Sequence, residues 1–110
     1  MSRNVLELHL SLLMLQRINS KSVQGPYFTV TIPDIHTVEY AEAGKVATIE
    51  IEGGMSRPGQ VDWLVHARTF SGWLPPHESE EVTADKLKQI LGNIGQALSM
   101  LGMPHRIVEP

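Results

Sequence analysis

The sequence predicts an α+β domain: an antiparallel β-meander of about four to five strands packed against one long C-terminal helix, with a short final strand. Two patterns carry that prediction. Between residues 27 and 68, short runs alternate apolar and polar side chains and are separated by turn-forming residues. Between residues 87 and 101, leucine and isoleucine recur at spacings of three and four, the period of a half-buried helix. The 110 residues fit one domain. The boundaries read as an extension over residues 1–17, with a single α+β domain over 18–110.

In chain order, the first element is the least determined. "LELHLSL" places Leu6, Leu8, Leu10 and Leu12 on one face of a strand, yet Leu6, Leu10 and Leu13 also fall at helical spacing. Leucine, methionine and glutamate favour helix, and β-branched residues are scarce here, so an extra N-terminal helix is the expectation. "YFTVTI" then sets Phe28, Val30 and Ile32 against Tyr27, Thr29 and Thr31, and Pro33-Asp34 marks a turn. In "HTVEYAE", Val38 and Tyr40 share a face, and "AEAGK" reads as a hairpin turn with Gly44 at positive φ. "VATIEIE" points Ala47, Ile49 and Ile51 inward and Glu50 and Glu52 outward.

"GGMSRPGQ" reads as a flexible loop. After it, "VDWLVHAR" alternates Val61, Trp63, Val65 and Ala67 against Asp62, Leu64, His66 and Arg68. The helix stripe is Leu87, Ile90, Leu91, Ile94, Leu98 and Leu101, with Thr83 as N-cap, Gly102 as C-cap and Pro104 beyond. Gly92 and Gly95 each weaken a helix by about 1 kcal/mol relative to alanine, which a close approach to the sheet would justify. "HRIVE" forms the last strand.

Composition excludes several kinds of chemistry. With no cysteine, the chain has no disulfide, thiolate metal site or cysteine nucleophile. Twelve acids against nine scattered bases leave a net charge of −3, which disfavours nucleic acid and suits a basic protein partner. The N-terminal apolar run is broken by Glu7 and His9 and is too short to span a bilayer, so a soluble, cytoplasmic protein is expected, with no membrane partner.

Chemistry-bearing motifs are few. The five histidines have no paired ligand spacing, and Asp62 and His66 stand roughly 13 Å apart along a strand, so no metal is expected. Glu50 and Glu52, roughly 6–7 Å apart by strand rise, read better as the wet face of a strand than as a catalytic pair. No phosphate loop or nucleophile elbow is present, so no catalytic residue and no cofactor are expected, and the chain reads as a non-enzyme.

"GWLPPHESEEVTADKLKQIL" stands out. Its acids crowd a helix start, where the dipole favours them, and its prolines hold an extended approach. Helix entry alone accounts for these features. An aromatic residue on a rigid, acid-ringed loop also suits a partner surface, and Trp73, His77, Glu78, Glu80 and Glu81 are its candidates, with Glu39 and Glu42 as a second acidic contact.

The stretch "VDWLVHARTFSGWLPPHESEEVTADKLKQILGNIGQALSMLGMPHRIVE" resembles the carboxy-terminal pattern of the immunity protein 74 family: a strand, Trp-x-x-Pro, an acidic stretch, a long helix, glycine and a last strand. "YFTVTIPDIHTVEYAEAGKVATIEIE" is similar to the family's early strands. The resemblance covers roughly residues 18 to 109, and the first seventeen residues depart from it. It implies a bacterial antitoxin of a polymorphic toxin system that binds and occludes a cognate toxin, and it brings no catalytic residues. A homodimer is compatible with it. The other readings of the residues are a self-associating scaffold and a small hydrolase.

Overall fold

In the computed structural model the described residues are 15–109, the side chains of 55–57 excepted. Seven strands form one sheet in chain order: β1 (Gln16–Asn19), β2 (Ser22–Gln24), β3 (Thr29–Asp34), β4 (Thr37–Glu42), β5 (Lys45–Arg57), β6 (Gln60–His66) and β7 (His105–Val108). Neighbours pair antiparallel except β6 and β7, which are parallel. A parallel pair needs a crossover, and the helix α1 (Ala84–Met100) supplies it. This is the expected α+β meander packed against a C-terminal helix, the one α-helix among the described residues.

Two strands exceed the expected four to five, and both lie before residue 25. β1 and β2 are only four and three residues long, and "QRIN" is exposed throughout. Their extended form is fixed by pairing, Val23 opposite Val30 and Arg17 opposite Val23, and not by a local hydrophobic period. The helix expected within residues 4–15 lies outside the described residues, Leu15 apart; Leu15 is buried in the core.

The expected loop at residues 53–57 is strand instead. β5 continues through it, paired with β6, and the turn shrinks to Pro58-Gly59, with Gly59 at φ 78°. Gly53 faces Trp63 across the ladder, where an added Cβ would lie 3.3 Å from the indole. The glycine therefore makes room for a large cross-strand neighbour while staying extended.

One face of the sheet is dry. Val23, Val30, Val38, Tyr40, Ala47, Ile49, Ile51 and Val65 meet Ile90, Leu91, Ile94, Ala97 and Leu98 of α1. The apolar alternation of β3, β4 and β5 and the stripe of the helix thus meet as expected; on β6 Val65 joins them, but Val61, expected on the same inward face, is exposed near the strand's start. Opposite, Glu39, Thr48, Glu50 and His66 point away from the helix, as strand alternation requires.

Both helix ends are closed. Thr83 accepts a hydrogen bond from the Lys86 N–H at 3.1 Å. At the other end Gly102 has φ 72°, and the N–H groups of Gly102 and Met103 donate to the Ser99 and Leu98 carbonyls, a Schellman closure. Of the two helix glycines, only Gly95 makes the expected close approach: an added Cβ would lie 3.2 Å from His105 Nε2 on β7. Gly92 faces open space.

Candidate functional site: the braced acidic loop

β6 stops halfway along β5, and the chain that follows takes its place. After a single 3-10 turn (Ala67–Thr69), the Glu50 N–H donates to Thr69 Oγ1 at 2.9 Å and the Leu74 N–H donates to the Val46 carbonyl at 2.7 Å. The segment from Phe70 to Val82 is thereby laid against the sheet before α1 begins. Pro75-Pro76 is a cis peptide. Two successive turns follow, closed by the His77 N–H on the Leu74 carbonyl and the Glu80 N–H on the His77 carbonyl, both at 3.0 Å.

Trp73 fixes this segment to the core. It is 4% exposed and stacks on Tyr40 at 6.4 Å between centroids; Tyr40 stacks in turn on Phe28 at 5.8 Å. Lys45 Nζ stands 5.1 Å from the Trp73 ring centroid and 3.0 Å from Glu80 Oε1. A second tie joins Glu42 to Lys86 at 2.6 Å. The Tyr40 hydroxyl donates to Glu42 and accepts from Asn93 Nδ2. Burial pushes this phenol well above its ordinary range; the Asn93 donor opposes the shift and the Glu42 carboxylate adds to it.

The seven candidate residues therefore divide. Trp73 lies beneath the loop as its support, and any surface for a partner is what Trp73 holds up. His77 is half-buried, while Glu78, Glu80 and Glu81 are exposed. Glu80 is tied to Lys45, and Glu78 and Glu81 make no ion pair among the described residues. Glu39 and Glu42 part company, because alternation on β4 sends Glu39 to the open face and Glu42 to the helix side, where it is engaged by Lys86 and Tyr40.

Next to the acids runs a groove of about 390 Å³. Phe70, Val82 and Leu87, all half-buried, form its apolar part, and Glu78, Glu80 and Glu81 contribute the charged part. Sequence reasoning identified the acids and missed the groove. Phe70 and Leu87 are separated by a long loop, and no local period reports that both line one groove.

On the other side of the sheet a smaller cleft of about 290 Å³ gathers His36, Glu50, Glu52 and His66. His66 Nε2 lies 3.3 Å from Glu52 Oε1, and Glu50 is its cross-strand neighbour. In the adjoining β3–β4 turn the His36 N–H donates to Asp34 at 2.8 Å, and this backbone bond, the largest cause, holds the Asp34 carboxyl below its usual range. Among the described residues, no three His, Asp or Glu side chains are placed to hold a metal ion. No helix of the described residues is long and apolar enough to cross a membrane.

No curated protein and no solved structure matches the chain. A family model does, over residues 30–108, from β3 through the end of β7 and including the whole acidic loop. That match spans well over half of the sequence and agrees with the resemblance read from Trp73, Pro76, the helix stripe and Gly102. The chain belongs to the immunity protein 74 family.

Proposed function

We propose that this protein neutralises a cognate bacterial toxin by binding it in the cytoplasm and occluding its working surface, without catalysis of its own. The observation that carries this reading is the groove beside α1, in which exposed Glu78 and Glu81 border the apolar Phe70, Val82 and Leu87. A lysine or arginine of the toxin suits such a place, since its methylene stem covers the apolar part while its cationic head meets the carboxylates. The bracing through Trp73 and Lys45 supports the reading too, because a loop held before contact loses little freedom on binding. His77, Glu78, Glu80 and Glu81 are the proposed contacts, and Glu42 and Trp73 set their frame. Glu39, on the opposite face, would meet only a partner that wraps the sheet. A polymorphic toxin system is the proposed setting.

The test is growth. The product of the gene neighbouring this one is expressed in a susceptible cell, with and without this protein. Arrest that the protein relieves, together with co-purification of the pair, supports the proposal. Arrest that it cannot relieve counts against it for that pair. Reversing Glu78, Glu80 and Glu81 to lysine should slow association and reduce its salt dependence; unchanged rates at all salt concentrations would remove the acidic loop from the interface.

A further inference from the structure

Resting on the toxin-binding reading, we infer that the interface extends from the acidic loop along the adjoining end of the sheet to Tyr27, the apolar anchor that enters the partner. Residues 74–82 alone fall short of the roughly 20–30 residues that a stable interface needs on each side. The β2–β3 turn, the β4–β5 turn and the Leu74 segment stand side by side at that end. Thr29 pairs with Ala41, Ala41 with Val46, and Val46 accepts from the Leu74 N–H. At the usual strand spacing, these three steps cover about 14 Å.

Tyr27 is 86% exposed, the largest value among the exposed large hydrophobic side chains of the described residues, and Leu74 is 38% exposed. Tyr27 nevertheless sits on a fixed turn. The Gly25 N–H donates to the Phe28 carbonyl at 2.8 Å, and Gly25 packs so closely on the Phe28 ring that an added Cβ would run into it. Phe28 is itself buried in the stack with Tyr40 and Trp73. One aromatic stack thus supports both the Tyr27 turn and the acidic loop. A groove of about 280 Å³ separates Tyr27 from Ala43 and Gly44, and the next residue, Lys45, is bound to Glu80.

A large, wetted aromatic ring on a rigid turn is the kind of residue that dominates binding energy when a partner covers it. The partner that fits is a protein surface with an apolar pocket for the tyrosine ring, flanked by lysine or arginine on the side that meets Glu78 and Glu81. The pocket sets the lifetime of the complex and the charges set the rate of encounter.

The experiment measures binding kinetics of the neighbouring gene's product to wild-type protein, Tyr27→Ala, Leu74→Ala and the Glu78/Glu80/Glu81 reversal, at two salt concentrations. Tyr27→Ala should dissociate about 30-fold faster with little change in association rate, and Leu74→Ala should show a smaller loss of the same kind. Thermal unfolding of Tyr27→Ala should match wild type, since the ring is exposed. If Tyr27→Ala binds within about twofold of wild type while the reversal weakens binding, the Tyr27 inference is overturned and the acidic-loop reading stands. If Tyr27→Ala weakens binding and the reversal does not, Tyr27 holds and the acidic loop leaves the interface. Absence of binding by the wild type overturns both. A dimer of the protein alone that Tyr27→Ala abolishes would overturn the inference in favour of self-association.

Discussion

Asn93 of α1 donates its side-chain N–H to the Tyr40 hydroxyl of β4 at 3.0 Å, a polar link between helix and sheet at the edge of an otherwise apolar contact. The same hydroxyl donates to Glu42 at 2.8 Å, and Glu42 holds Lys86. Tyr40→Phe keeps the ring stack and removes the link, leaving the Asn93 amide and one Glu42 oxygen without their partner. The expected loss is about 1–2 kcal/mol, read as a lower urea midpoint with an unchanged slope.

The same phenol makes stability depend on alkaline pH. Its folded pKa is raised above the unfolded value near 10, chiefly by burial, so the unfolded chain releases the proton first. The stabilisation is present in full below about pH 10 and is lost as pH rises beyond it. Urea midpoints measured across pH 8–11 should fall more steeply for wild type than for Tyr40→Phe. Parallel profiles would assign the alkaline loss to other groups.

Lys45 separates the three loop acids. Glu80→Lys would face Lys45 across the 3.0 Å now spanned by an ion pair, and it should cost on the order of 1 kcal/mol of stability at low salt. Glu78→Lys, with no such partner among the described residues, should stay within about 0.5 kcal/mol. Guanidinium masks charge effects, so the comparison belongs in urea at two salt concentrations. Only the Glu80 effect should shrink as salt rises.

Much of the fold follows from local signals. Thr83, Gly102 and the leucine–isoleucine stripe define α1 within their own segment, and "TVEY" and "VATIEIE" carry their strand alternation openly. The β1–β2 hairpin carries none, because "QRIN" is extended through its pairing with β2 and "SVQ" through its pairing with β3. The glycine pair at 53–54 imitates a loop until Trp63 is seen opposite. In the candidate site, the acids are readable as a cluster, but Trp73 is tied by Tyr40 and Lys45 from distant strands. Those ties turn an apparently prominent tryptophan into a support. The separation of Glu39 from Glu42 was available from alternation on β4 alone.

The two helix glycines provide the last comparison, since the same substitution should have opposite outcomes three residues apart. Gly92 is exposed and a Cβ there meets nothing within 4 Å, so Gly92→Ala removes unfolded-state freedom at no packing cost and should stabilise by about 0.5–1 kcal/mol. At Gly95 the added carbon would lie 3.2 Å from His105 Nε2, and His105 is not free to retreat, because its Nδ1 lies 3.1 Å from the Met103 carbonyl and its backbone pairs with Trp63. Gly95→Ala should therefore forfeit the propensity gain and move α1 against β7. Thermal unfolding reads both: a rise of a few degrees for Gly92→Ala, and no rise or a fall for Gly95→Ala. An equal rise in both would mean that the helix does not depend on the Gly95–His105 contact for its seat on the sheet.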